Sequence, residues 1–434
     1  MTSGINEFDR GLPRFAARGR VGSTGLPQRR DASRAYPLVA WLALCGVVLP
    51  TELQLSVAGA RVTLGRMGIM LLIVPALFTL CRKGRKLLVS DLIAVALAAW
   101  MVGVAIYAGD KDSISSAMAL SIEYTGGYLV ARAFFFGPSA LKEFTRVLKV
   151  LTVIVVAFGM ADVMAGRWVV HDFLTSVVGS PWLGAIYRGD TVRAASTLDH
   201  PILFGTFCSL SGGIFLHSES TTLRRMFWVG ICFVGCAFSQ SSAGMMSFFI
   251  ALSACIYQRA MRSFPARWGL FWFVVAVIAA VVFAAANHPI GWIISHMTFD
   301  PSSGFYRILI WDAAFVKIAQ APVTGFAFDL LNSDILDHTV DSVWLVSALR
   351  FGLPVIALMV LVNLVTILPT SQQRVRRPGG DYMVRMRRAF TLVLLLYMFV
   401  GLTVHFWSFM WIFWGLCVGC RASLREWFMD TGRT

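Results

Sequence analysis

Twelve apolar stretches dictate what this 434-residue chain can become. They lie at approximately 37–57, 62–81, 87–108, 116–136, 144–165, 196–217, 224–239, 242–261, 268–286, 341–368, 388–404 and 406–420. A helix of roughly 20 apolar residues crosses the hydrocarbon of a bilayer. Inside lipid the backbone must satisfy its own hydrogen bonds, which favours helices over open sheets. At 57% hydrophobic and 14% charged, the chain carries more apolar surface than a soluble core of this length hides. The expected fold is all-α, a polytopic membrane protein of about 12 transmembrane helices. Two connecting loops are substantial, 166–195 and 287–340. The second is polar and holds a helix-like run, Phe305–Ala321, preceded by Ser302 and Ser303 and stopped by Pro322.

Charge fixes the expected orientation. A net charge of +15 invites a nucleic-acid reading, but the distribution argues against one. Alternating the spans puts 29 of the 38 Lys and Arg on the side of both termini. That excess is a topology signal, with both termini cytoplasmic and the long loop outside. Six of the seven histidines fall on or near the outer side, only His217 on the other. Residues 1–36 read as a basic, disordered cytoplasmic tail, 37–421 as the membrane domain and 422–434 as a second cytoplasmic tail. The eight cysteines sit in or beside apolar helices and read as small core hydrophobes.

Three stretches combine polar groups with the outer boundary. Arg193–Gly205 (RAASTLDHPILFG) starts a helix at Pro201, with Asp199 or His200 placed to cap it. Arg193 can clamp a phosphate through paired N–H donors or simply anchor a lipid headgroup. Gly304–Trp311 (GFYRILIW) sets Arg307 and Trp311 on one helix face, for a phosphate or for anionic lipid. Asp337–Gly352 (DHTVDSVWLVSALRFG) brings His338 and two carboxylates to the start of a span, as a general base or as a polar cap. Arg350, Glu123 and Arg132 lie within spans, where ionised groups face a cavity or a partner helix. No P-loop, HExxH, GxSxG or metal-spaced Cys/His set occurs, so no cofactor and no metal are expected. Arginines must then neutralise any bound phosphate.

Over roughly residues 37–420 the chain resembles the bacterial O-antigen ligases and polysaccharide polymerases. The shared features are about a dozen spans, Arg193 leading into His200-Pro201 and Gly205, and a long outer loop late in the chain. In that loop stand Arg307 and Trp311, then Pro322 and Gly325, with Gly352 beyond. Ser239–Gly244 (SQSSAG) is similar to the family's serine-rich turn. The resemblance implies a GT-C-like fold, its large periplasmic loop carrying short amphipathic helices, in the bacterial inner membrane. It also implies metal-independent, inverting transfer of a glycan from an undecaprenyl-diphosphate carrier to a sugar hydroxyl. Arg193 and Arg307 would hold the diphosphate, His200 and Trp311 would support it, and His338 or Asp341 would be the catalytic base. Ligases carry a histidine at the position of Asp341, which tilts the expectation toward polymerisation of repeat units into an exopolysaccharide or related polymer. An O-antigen ligase acting on lipid A–core is the alternative. A lipid-linked oligosaccharide flippase is the alternative of another class, weakened by the absence of an evident repeat. The expected partners are the lipid bilayer, the lipid-linked glycan, and chain-length and export proteins, with no nucleic acid.

Overall fold

The computed structural model describes residues 36–57, 60–82, 84–285, 301–337, 340–368, 379–407 and 409–431. The chain runs α1 (Pro37–Val48), a hairpin of β1 (Gln54–Val57) and β2 (Ala60–Thr63), α2 (Leu64–Leu80) and α3 (Val89–Ala108). A continuous helical run follows: α4 (Lys111–Ser121), a π-helical turn at Ile122–Gly126 and α5 (Gly127–Phe134). Next come α6 (Pro138–Ala165), α7 (Val169–Val178), a short hairpin of β3 (Tyr187–Arg188) and β4 (Thr191–Val192), and α8 (Pro201–Ser218). The remainder is α9 (Thr222–Ser239), α10 (Ser242–Ala260), α11 (Arg267–Ala285), α12 (Pro301–Ile318), α13 (Val343–Ile367), α14 (Gly380–Val400) and α15 (Phe409–Thr431).

Every one of the twelve apolar stretches contains a helix, and among the described residues six helices (α3, α6, α8, α9, α11 and α13) are long and apolar enough to cross a membrane. The others miss that standard for visible reasons. At 12 residues α1 is roughly 18 Å long, and the chain turns at Pro50 into a strand rather than continuing to residue 57. α14 begins among Arg385, Arg387 and Arg388, and α15 runs past its apolar part through Arg421, Arg425 and Glu426. Residues 422–431, read from sequence as tail, thus belong to a helix, with Leu424, Glu426 and Phe428 buried. The loop helix α12 starts at Pro301, earlier than expected; proline suits a first turn, whose N–H has no intrahelical partner. The two hairpins carried no clear sequence signal, being only four and two residues per strand.

Several ionised residues inside the bundle are paired. Glu123, in the π-helical turn, meets Arg66 of α2 at 2.7 Å. Arg132 of α5 is fully buried, donating to Asp91 of α3 at 3.2 Å and to Glu426 of α15 at 2.5 Å, and Arg85 reaches Glu426 at 3.0 Å. Buried charges without partners are strongly destabilising, so these pairs lock α2, α3, α5 and α15 in register. Above them Trp414 stacks on Tyr397 (centroids 5.4 Å apart) and on Trp411 (5.7 Å), an aromatic centre joining α14 and α15.

One break in a helix organises the long loop. Gly352, inside α13, has φ of 75° and ψ of −179°, which frees backbone carbonyls from the helix ladder. Phe326 N–H donates to the Leu349 carbonyl (2.7 Å), Ala327 N–H to Arg350 (2.9 Å), and Leu353 N–H to Pro322 (2.8 Å). A Cβ on Gly352 would lie 2.0 Å from the Val323 carbonyl oxygen, so only glycine allows this approach. Pro322, Gly325 and Gly352, widely separated in sequence, are therefore one structural joint that fixes α12 against α13.

Candidate active site

The segment bearing Arg193 is pinned from several sides. Asp162, at the end of α6, accepts from the backbone N–H of Val169 (2.9 Å), Ala195 (3.2 Å) and Ser196 (2.8 Å). These bonds stabilise Ser196 at φ 63°, an unusual value outside glycine. The Trp168 indole donates to the Arg193 carbonyl at 2.8 Å, and Ala194 N–H donates to Phe238 at 3.0 Å. Arg193 Nε donates to the Ser239 carbonyl at 3.3 Å, which orients the guanidinium and leaves its two terminal nitrogens for a ligand. Burial first, then the neighbouring Arg188, lowers its pKa to about 10, so it stays charged at neutral pH.

A second set of contacts holds the turn into α8. Buried His171 of α7 pairs with Glu52 at 2.5 Å and also meets the Leu198 carbonyl at 3.1 Å. Thr51 donates to Asp199 at 2.7 Å, and burial above all raises the Asp199 pKa. Capping of α8 falls to His200, not Asp199: His200 Nδ1 accepts from Ile202 N–H at 3.1 Å. Burial, reinforced by Arg193 and opposed by Asp341, lowers the His200 pKa to about 4. The ring is therefore neutral at pH 7. With the Nδ1 lone pair occupied by the cap, the proton sits on Nε2, making His200 a hydrogen-bond donor rather than a base.

α10 starts beside it. Ser241 caps that helix through Gly244 N–H at 3.4 Å, after Gln240 in the left-handed region at φ 46°. A Cβ on Gly244 would sit 2.7 Å from the Gly205 backbone, so this glycine pair lets α8 and α10 cross closely and brings both N-termini to one place. Ser342 caps α13, accepting from Leu345 N–H at 3.4 Å while donating to the Gly401 carbonyl at 3.0 Å, and so seats Asp341 next to the α14–α15 connection.

These pieces enclose a cavity of about 340 Å³ whose lining includes Arg188, Arg193, His200, Ser241, Arg307, Asp341, His405 and Trp407. Arg307 Nε lies 3.6 Å from Asp341 Oδ2, an ion pair too long for a hydrogen bond, and that Nε is buried without a hydrogen-bond partner among the described residues. Among the described residues, three arginines and one carboxylate line the cavity. The N-termini of α8, α10 and α13 add their positive dipole ends. A multiply charged anion is the ligand this arrangement favours. A second cavity of about 360 Å³ adjoins it, sharing Asp341, His405 and Trp407 and adding Arg350, Asp329 and Asp337.

Arg193, His200, Arg307 and Asp341, drawn from three separate stretches, share the first cavity. Trp311 does not line it; it packs in a small apolar cluster between α12 and α13, against Phe315 (centroids 5.5 Å apart). His338 lies outside the described residues, as do His288 and His296. Sequence reasoning missed His405 and Trp407 as site residues. His405 is partly buried, its Nδ1 is buried and unpartnered among the described residues, and desolvation, aided by Arg350, lowers its pKa to about 3. The tight apolar connection Thr403–Trp407 gave a turn but no hint of a ligand-facing role. Among the described residues no group of three metal-ligating side chains is found.

Comparison with known families now bears on this geometry. Residues 227–360 match the O-antigen ligase family. No curated protein matches the chain. The O-antigen ligase region runs from α9 into α13 and contains Ser241, Arg307, Asp341 and the Gly352 break. Arg193, His200, His405 and Trp407 lie outside it, so the cavity is completed by parts of the chain on either side of the matched region. With its long apolar helices, the chain is a helical multi-pass membrane protein that carries a region similar to the O-antigen ligases.

Proposed function

We propose that the protein is an inner-membrane glycosyltransferase that polymerises undecaprenyl-diphosphate-linked repeat units on the periplasmic face, inverting and independent of metal. The observation that carries this reading is the shared cavity of Arg193, Arg307 and Asp341 at three helix N-termini. In the proposal all twelve apolar stretches span, and the cavity opens on the outer side because 29 of the 38 Lys and Arg lie on the other.

The donor diphosphate lies against Arg193 and Arg307, with the neutral His200 donating from Nε2 to one of its oxygens. The acceptor glycan occupies the adjoining cavity, so that its hydroxyl meets the donor at Asp341 and Trp407, which both cavities share. Asp341 takes the hydroxyl proton as the acceptor oxygen bonds to the anomeric carbon on the face opposite the diphosphate. The bond from that carbon to the diphosphate oxygen breaks, its electron pair leaving with the oxygen. Charge growing on the leaving group strengthens its attraction to two fixed guanidiniums, which is stabilisation concentrated in the transition state. His200 cannot be the base while it caps α8; in this reading the base is Asp341, which lines the cavity.

The test is a reconstituted reaction with lipid-linked repeat units as the sole substrate. A growing ladder of polymer on the lipid carrier supports polymerisation, and Asp341→Asn should abolish it while His338→Ala leaves it substantially intact. A reaction that runs only when a lipid A–core acceptor is added would replace polymerisation with ligation, the second reading, which the O-antigen ligase match favours.

A further inference from the structure

At the opposite end of the helices that form the site lies a basic cavity unconnected with glycan transfer. α8 is capped by His200, in the site, and ends near His217, which lines this other cavity. Seventeen residues at 1.5 Å each separate the two, about 25 Å, close to the hydrocarbon thickness of a bilayer. The cavity measures about 270 Å³ and is lined by Arg387, Arg388 and Arg421 together with apolar side chains of α10, α11 and α14. At its edge Trp268 and Leu395 are 45% and 49% exposed, so it is open to lipid.

These arginines lack the carboxylate partners that others in the bundle have. Arg66, Arg85 and Arg132, elsewhere in the bundle, each pair with a carboxylate. Arg387, Arg388 and Arg421 pair with none among the described residues. Arg421 is 2% exposed; its Nε donates to Thr391 at 2.9 Å and its Nη2 to the Ile367 carbonyl at 3.0 Å, while its Nη1 is buried with no partner among the described residues. Arg387 lies over the Phe428 ring, 4.5 Å from its centroid, a cation–π contact rather than an ion pair. A guanidinium held away from water next to two others calls for an anion.

We infer that this cavity binds the phosphate headgroup of an anionic phospholipid from the cytoplasmic leaflet, its acyl chains lying along the apolar side of the opening. Charge complementarity names the headgroup, since arginine forks match a phosphate diester. Basic pockets between transmembrane helices on the cytoplasmic side suit such lipids. The inference rests on the chain spanning the membrane and not on the glycosyltransferase reading, so either can fail alone.

The experiment uses the full-length protein in nanodiscs of phosphatidylcholine with about one-fifth phosphatidylglycerol, and native mass spectrometry counts the lipids that leave with it. The wild type should retain phosphatidylglycerol well above its share of the bilayer. Arg387→Gln with Arg388→Gln should reduce that enrichment about fivefold per arginine removed. Arg146→Gln, at an arginine whose side chain is 77% exposed, should change nothing. Equal retention by wild type and double variant, or equal retention of the two lipids, overturns the site. Displacement of phosphatidylglycerol by millimolar inorganic phosphate would make it a free-phosphate site and overturn the lipid assignment. If the double variant does not fold, delipidated wild type is melted with each lipid: a higher Tm with phosphatidylglycerol alone supports the inference, and no difference overturns it.

Discussion

Replacing Arg193 by lysine keeps the charge and removes the geometry, which makes it the sharpest probe of the diphosphate clamp. In the folded chain the guanidinium is oriented by one bond, from Nε to the Ser239 carbonyl at 3.3 Å, and Arg193 lines the cavity. Lysine loses that orienting bond and can offer the ligand only a point charge. Loss of one charge-assisted hydrogen bond in the transition state costs about 2 kcal/mol, or about 30-fold in kcat/KM. Alanine also removes the charge, costing about 4 kcal/mol and about a thousandfold. Stability should fall by only about 1 kcal/mol, because the side chain makes one neutral-acceptor bond to the protein. The assay is the initial rate of chain extension in proteoliposomes, with Tm measured on the same preparations. A lysine variant within twofold of wild type would show that a fork is not needed and refute the clamp.

Two other outcomes follow from the structure. Gly352→Ala forces a left-handed φ on alanine and sets its Cβ 2.0 Å from the Val323 carbonyl oxygen; it should cost about 3 kcal/mol or more and expose residues 319–337 to protease, whereas an unchanged Tm and cleavage pattern would contradict the joint. The His171–Glu52 pair should make stability depend on pH. Burial opposes the imidazolium, but the hydrogen bond and charge of Glu52 outweigh it and raise the His171 pKa above its usual 6.5. Burial likewise opposes ionised Glu52, yet His171 carries its pKa below 4.5. The His171 contribution is complete below about 6.5 and is lost as pH rises through the raised value; that of Glu52 is complete above about 4.5 and is lost as pH falls through the lowered one. Tm should therefore decline on the alkaline side, and His171→Gln should flatten that decline; an unaltered slope would assign it elsewhere.

What could be read from the sequence was what local chemistry dictates. Apolar length located all twelve helical stretches, and the rarity of charge within them marked Glu123 and Arg132 as needing partners on other helices, which they have. Arg193, Arg307 and Asp341 stood out because polar groups at a hydrocarbon boundary are unusual there. Hidden from the sequence was everything that depends on two distant segments meeting. Nothing in Ser239–Ser242 announces that its carbonyl orients Arg193, and Pro322 and Gly352 look like separate turn residues until the break in α13 joins them. The end of α1 was misplaced because the apolar run continues beyond Val48, whereas Pro50 stops the helix. His200 was ambiguous with Asp199 as a cap, and the choice was settled by Thr51, a residue almost 150 positions away that occupies the carboxylate.

The most direct test measures undecaprenyl diphosphate binding to the purified protein, with and without chelator, for the wild type, Arg193→Ala, Arg307→Ala and the double variant. If both guanidiniums grip one diphosphate, each single change weakens binding at least tenfold, chelator has no effect, and the double variant falls short of the product of the two losses. Wild-type affinity in the double variant, or affinity that vanishes with chelator, would mean that the two arginines do not hold the diphosphate.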